Sequence, residues 1–139
     1  MEELKHPFNE DTRERVGCIV YDVEGKLLIV DGGSGKMSLP KGCRHLGETE
    51  WEGGLRELYE ETGLDAELLL FDKSARFVEK KTLRWGTYMV FRLKMRGSDL
   101  ALRPQAGETS KILWKDPQSS WIQRKADLNA DLRHLVKGR

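Results

Sequence analysis

The order of apolar and polar positions divides the chain into strands, one sharply bounded central helix and a terminal helix. Residues 15–23 (RVGCIVYDV) predict a strand, and residues 26–31 (KLLIVD) its hairpin partner across Glu24-Gly25. Gly32-Gly33-Ser34-Gly35 reads as a flexible turn, and residues 36–39 as a short extended piece that Pro40 keeps extended. The helix covers residues 49–62: Thr49 stands as N-cap with Glu52 three positions on, a capping box, and Gly63 closes it. Residues 68–78 and 84–95 predict two strands joined by residues 79–83, and residues 110–114 a further short strand after a loop holding Gly107 and Glu108. Residues 117–123 read as a helical turn. Residues 126–136 place Leu128, Leu132, Leu135 and Val136 on one side of an amphipathic helix. Strands interrupted by a central and a terminal helix predict an α/β sandwich on a mixed sheet, as one domain over residues 1–139.

The central helix is where pattern turns into chemistry. At about 100° per residue, Glu60 falls roughly 60° to one side of Glu57 and Glu61 roughly 40° to the other, so three carboxylates share a face. Leu58, Trp51, Thr62, Leu55 and Tyr59 form the expected packing stripe opposite. Like charges at these spacings repel by a few tenths of a kcal/mol per pair, about 0.3 each. A cation among them reverses that sign, and hard divalent ions such as Mg²⁺ and Mn²⁺ prefer such oxygen donors. Taken alone, three glutamates more often mark a solvated acidic face.

Composition narrows the setting. The chain has 139 residues, 38% hydrophobic and 34% charged, with a net charge of +1, which suits a globular protein. Within residues 42–64 six acidic side chains face two basic ones, so the remainder is net basic. An acidic patch in a basic surround fits a metal site that receives a polyanion. No apolar run approaches the roughly 20 residues a bilayer span needs, so no membrane partner is expected. The polar start MEELKHPFNEDTRER lacks a signal-peptide core, which points to the cytoplasm, though a trimmed leader would leave a secreted origin open. Cys18 and Cys43 are isolated from each other, without zinc-binding spacing, and read as one buried thiol and one loop thiol. Without a long basic stripe, duplex nucleic acid is not an expected partner. Oligomeric state is not written in these features.

The acids do not stand alone. Gly42, Glu48, Arg56, Glu57, Leu58, Glu60, Glu61, Gly63 and Leu64 follow G-x5-E-x7-R-E-L-x-E-E-x-G-L. Chance would assemble that pattern in roughly one chain in ten million. The segment resembles the box of the Nudix hydrolase family, and the match is complete. The resemblance implies a Nudix-type α/β/α sandwich around a mixed β-sheet and hydrolysis of a phosphoanhydride with Mg²⁺ or Mn²⁺. By motif position it implies metal ligation by Glu60 and Glu61 with the Gly42 carbonyl. It implies that Glu57 is a further ligand or the base acting on water, that Arg56 orients these carboxylates, and that Glu48 is an outer support. Arg56, four residues before Glu60, has the spacing to pair with it. One departure is Gly53-Gly54, where the family usually carries small helix formers; mid-helix glycines cost about 1 kcal/mol each relative to Ala. They leave room for a loop or substrate to approach, or they reflect drift.

Leu39-Pro40-Lys41-Gly42 resembles the entry to the box in the branch of diadenosine polyphosphate hydrolases, diphosphoinositol polyphosphate phosphohydrolases and messenger-RNA decapping enzymes. The partner so implied is a small polyanionic phosphate substrate. Lys36, Lys41, Arg44, His45, Lys80, Lys81 and Arg84 are candidates for a cationic rim, although each is individually an ordinary solvated side chain. Tyr88 and Trp114 alternate with apolar neighbours and are expected in the core, leaving Trp85 and Trp121 as candidate stacking platforms. No residue pair announces a base pocket. The expected substrate is therefore an inositol pyrophosphate, followed by dinucleoside polyphosphates, then capped RNA or nucleoside triphosphates. Glu108 is a candidate fourth acid or base, with Glu79 a weaker rival. A binding module that kept the fold without turnover is the distant alternative; the intact set of box acids and arginine speaks against it.

Overall fold

A computed structural model describes residues 11–31, 37–78, 85–105 and 111–117. The strands are β1 Asp11–Tyr21, β2 Leu27–Asp31, β3 Met37–Ser38, β4 Lys41–His45, β5 Leu69–Val78, β6 Trp85–Leu93 and β7 Lys111–Lys115, and α1 is Glu50–Thr62. The sheet is mixed. β1 runs parallel to β6 from the Arg15–Gly86 pair to the Tyr21–Arg92 pair, while β5 is antiparallel to β6. The other edge of β1 is shared, β4 taking its first half and β2 its last residue, Tyr21, opposite Leu27. β2 also pairs with β3 and β7. The architecture is the α/β mixed sheet expected; the terminal helix predicted at 126–136 and the turn at 117–123 fall almost wholly outside the described residues.

β1 carries an almost unbroken apolar run because both of its faces are covered. Cys18 and Val20 point to the α1 side, joining Leu28, Leu58, Leu64, Met89, Phe91 and Leu93. Ile19 points the other way, to Leu27, Ile29, Leu39, Tyr88 and Val90. Tyr88 is thus in the core, as expected, and Trp114 packs against the cluster on the α1 side. Cys18 is buried and its thiol donates to the Gly54 carbonyl at 3.4 Å. Burial, with Glu61 adding to it, pushes this thiol well above its ordinary pKa, so it stays protonated.

α1 has the predicted ends. Thr49 Oγ1 accepts from the Glu52 amide at 3.0 Å while Glu52 Oε1 accepts from the Thr49 amide at 2.8 Å. Gly63 adopts φ 74°, a left-handed cap that a side chain would strain. The amides of Arg103 and Gln105 take up the Thr62 and Glu60 carbonyls at 3.0 and 2.8 Å, groups that a helix end otherwise leaves unmet.

Its buried face differs from the expected stripe. Gly53, Gly54, Leu58 and Thr62 are buried, whereas Trp51 and Tyr59 are 45% and 50% exposed. The glycines let the helix backbone itself approach the sheet, which rotates the contact line toward the carboxylate side. Trp51 remains at the margin, edge-on to Phe71 at 5.1 Å and Phe91 at 5.5 Å. Cys43 also departs from expectation, lying on β4 and not in a loop. Residues 41–45 lack apolar alternation and form a strand because β1 supplies the ladder.

At the far end of β1, Asp22 is buried and accepts three amides: Glu24 and Lys26 on Oδ1 at 2.9 and 2.8 Å, and Gly97 on Oδ2 at 2.9 Å. It ties the β1–β2 turn to a 3-10 turn at Gly97–Asp99, where Gly97 lies against the Trp114 indole. Removing the carboxylate leaves buried donors unmet. Asp22→Ala is therefore expected to lower unfolding free energy by about 3 kcal/mol in urea titration. A loss under about 0.5 kcal/mol would show that these bonds add nothing.

Candidate active site on one helix face

Arg56 is the centre of the site. Its Nε donates to Glu48 Oε2 at 2.7 Å, and Nη2 donates to Glu48 Oε1 at 3.1 Å and the Cys43 carbonyl at 2.9 Å. Nη1 donates to Glu57 Oε1 at 2.9 Å and to Glu60 Oε2 at 3.2 Å, the pairing expected from their spacing. One guanidinium thereby joins β4, the loop before the helix and two helix carboxylates. Burial works against its charge, but Glu48 and Glu57 more than offset it, so Arg56 is protonated at every accessible pH.

Glu48 is held from both sides. Its Oε1 also accepts the His45 amide at 2.8 Å. Burial raises the carboxyl pKa, yet the Arg56 hydrogen bond and the His45 amide outweigh it and hold the group below its ordinary value. Glu57 reaches down onto β4, its carboxylate filling the space that a side chain on Gly42 would occupy. Gly42 is thus required as a glycine by close approach. Glu57, Glu60 and Glu61 are all half-buried, with the Glu60 side chain the most open of the Arg56 partners at 37%.

The rim residues separate by strand alternation. Gly42 faces α1, so Lys41 faces away, and a Cβ on Gly17 would meet Lys41 Cβ at 2.8 Å beside the Tyr88 ring. Arg44 is engaged within the loop: Nη1 donates to the Glu48 and His45 carbonyls at 2.6 and 3.3 Å, and Nε to Glu14 at 2.7 Å. That bond and the Arg44 charge outweigh a small burial effect and lower the Glu14 pKa. His45 is half-buried and contributes its amide to Glu48. Lys36, Lys80, Lys81, Arg84, Glu79 and Glu108 lie outside the described residues, as do the Trp121 side chain and that of Trp85.

Two residues that sequence reasoning did not single out join this picture. Glu14 anchors Arg44, and Arg15 lies on the Lys41 face of β1, opposite Cys43, with Nε buried and finding no hydrogen-bond partner among the described residues. The adjacent opposite charges of Glu14 and Arg15 ahead of an apolar run were the available signal.

The donor chemistry fits a hard divalent cation: the Gly42 backbone and three glutamates offer only oxygen. Among the described residues no three acidic, histidine or cysteine side chains are gathered closely enough to hold a metal, and Arg56 pairs with Glu57 and Glu60.

The low Glu48 pKa fixes a pH dependence. A carboxylate depressed in the folded state adds stability above its unfolded value, about 4.5, and loses it as pH falls through the lower folded value. Glu48→Gln is expected to lower stability by about 2 kcal/mol at pH 7. The gap between variant and wild type should shrink as pH falls below about 4.5, as thermal melts across the acid range would read. A gap independent of pH would separate Glu48 from any charge-assisted role.

Residues 11–137 match the family described as NUDIX domain. Two curated relatives come from Arabidopsis thaliana. Nudix hydrolase 10 is 29% identical over 132 residues, covering 93% of this chain and 47% of that protein. Nudix hydrolase 6 is 40% identical over 87 residues, covering 55% of this chain and 31% of that protein. The chain therefore spans less than half the length of these relatives. A C. elegans Ap4A hydrolase structure superposes with a TM-score of 0.70 at 17% identity, covering 90% of this chain and 94% of that chain. A bifunctional NMN adenylyltransferase/ADP ribose pyrophosphatase from Francisella tularensis gives 0.73 at 19% identity, over 94% of this chain and 40% of that one. At such identities the structures share the fold, and the family match covers nearly the whole chain. The chain belongs to the NUDIX domain family.

Proposed function

We propose that the protein is a divalent-metal-dependent hydrolase of phosphoanhydride bonds. The observation that carries this reading is the brace on α1, in which Arg56 fixes Glu48, Glu57 and Glu60 while Glu57 rests on Gly42. Glu60, Glu61 and the Gly42 carbonyl would hold Mg²⁺ or Mn²⁺, with Glu57 as a further ligand or the base that takes a proton from water. The bound ion supplies charge neutralisation at the phosphate oxygens and a lowered pKa for water. Arg56 keeps the carboxylates in place before substrate arrives, so little ordering remains to be done at the moment of reaction. Glu108 remains a candidate fourth acid.

For substrate, the reading favours a highly phosphorylated molecule. Lys41 and Arg15 share the face of β4 and β1 away from α1, two cations that phosphate oxygens would pair with. Inositol pyrophosphates suit such cations without a base pocket. Dinucleoside polyphosphates are the second reading, prompted by the Ap4A hydrolase among the proteins of like fold. Lys36, Lys80, Lys81 and Arg84 would extend the rim, with Arg44 and His45 shaping the loop that presents it.

Wild-type protein should release phosphate or mononucleotide from one of these classes only with Mg²⁺ or Mn²⁺, and a chelator should stop it. Glu57→Gln is expected to cut kcat about 1000-fold while the protein stays folded. A panel of diphosphoinositol, dinucleoside, capped RNA and nucleoside triphosphate substrates, with products identified, assigns the class. No turnover on any of them would end the hydrolase reading. A preference for dinucleosides over inositol pyrophosphates would reverse the order of the two substrate readings.

A further inference from the structure

The two mid-helix glycines sit over different neighbours. A Cβ on Gly53 would stand 2.9 Å from Val16 Cγ2, 3.1 Å from Glu48 Oε1 and 3.4 Å from Arg44 Cγ. A Cβ on Gly54 would press on the Met89 terminal methyl and lie 3.2 Å from the Gly17 carbonyl oxygen. Methionine re-seats readily, whereas β-branched Val16 is stiff about χ1. Val16 also has β4 on one side and β6 on the other.

Val16 is the cross-strand partner of Gly42. Gly53 and Glu57 are one turn apart on α1, so the helix meets a single rung of the sheet twice, Gly53 over Val16 and Glu57 over Gly42. The height at Gly53 therefore sets how far the Glu57 carboxylate reaches down to Gly42. Glu48 adds a second link, since the oxygen that crowds Gly53 is the one accepting both the His45 amide and Arg56 Nη2. That oxygen has little freedom to yield to a methyl group.

We infer that Gly53 is a positioning residue: its missing side chain seats α1 on the Val16–Gly42 rung and lets Glu48 brace Arg56, while Gly54 only packs. This rests on the proposed metal-binding role of Glu57, Glu60 and Glu61. It goes beyond room for a loop or substrate in general, because the room at Gly53 is filled by the brace itself.

The test compares Gly53→Ala and Gly54→Ala with wild type. Calorimetric Mn²⁺ titration of metal-free protein, melting temperature, kcat and the Arg56 Nε–H signal by NMR are the readouts. Gly53→Ala is expected to weaken Mn²⁺ binding roughly 10- to 100-fold, to lower kcat in step and to shift the Nε–H signal toward that of an unpaired arginine. Its melting temperature should hold or rise, since alanine favours helix. Gly54→Ala should alter melting alone. If Gly53→Ala does not fold, Gly53→Ala/Val16→Ala, which opens room on the strand side only, is measured in its place. Unchanged Mn²⁺ binding and Nε–H signal in the Gly53 variant, or equal losses in both alanine variants, would overturn the assignment. If wild-type protein neither binds Mn²⁺ nor turns over substrate, the functional reading fails, and the Nε–H signal still decides whether Gly53 sets the brace.

Discussion

A partly buried guanidinium must find partners for its charge and its donors, and meeting that requirement at Arg56 organises the site. Taking an isolated cation out of water is costly, and the carboxylates of Glu48, Glu57 and Glu60 with the Cys43 carbonyl supply the compensation. The partners come from three stretches of chain, so the cation acts as a cross-link between β4, the loop and α1. It also leaves the helix face acidic, because one positive charge is set among more than one carboxylate. A face that keeps excess negative charge in a partly water-excluded place attracts a cation more strongly than the same glutamates in open solvent.

That cross-link would be idle without a firm surface beneath it. β1 supplies one by serving β6 on one edge and both β4 and β2 on the other. Its two halves do different work. The first half sets Val16 against Gly42 under the helix, and the end is anchored by Asp22, whose carboxylate organises the turn into β2 and reaches Gly97. The helix is itself held at its far end by the 103–105 segment. Each carboxylate on the site face therefore projects from a helix fixed at both ends.

Much of this was legible in the sequence where local rules act alone. Thr49 and Glu52 define the helix start, Gly63 its end, and the spacing of Glu57, Glu60 and Glu61 their common face. The misread features are those decided by a distant partner. Residues 41–45 form a strand because β1 offers hydrogen bonds, not because their own pattern demands it. Trp51 and Tyr59 look like core on a helical wheel, but Gly53 and Gly54 bring the backbone in on the adjacent side and turn those aromatics outward. Arg15 and Glu14 are ordinary charges by composition, and only pairing across β1 and β4 reveals what surrounds them. The basic cluster at 80–84 and Glu108 lie outside the described residues, so their part in the site rests on sequence alone.

Consecutive residues on β4 point to opposite faces, and this bears on the kind of substrate the proposed site suits. Gly42 lies under Glu57 on the helix side, whereas Lys41 shares the other face with Arg15. Among the described residues β4 pairs on one side only, with β1. A ligand held at the glutamates and also at Lys41 must therefore pass the open edge of the strand. A lone diphosphate that fills the coordination of a metal on α1 has little left to offer cations on the reverse face. A molecule with phosphates spread around a ring or along a chain can satisfy both. Under the proposed function, the separation of Gly42 and Glu57 from Lys41 and Arg15 is one that a multiply phosphorylated substrate would span.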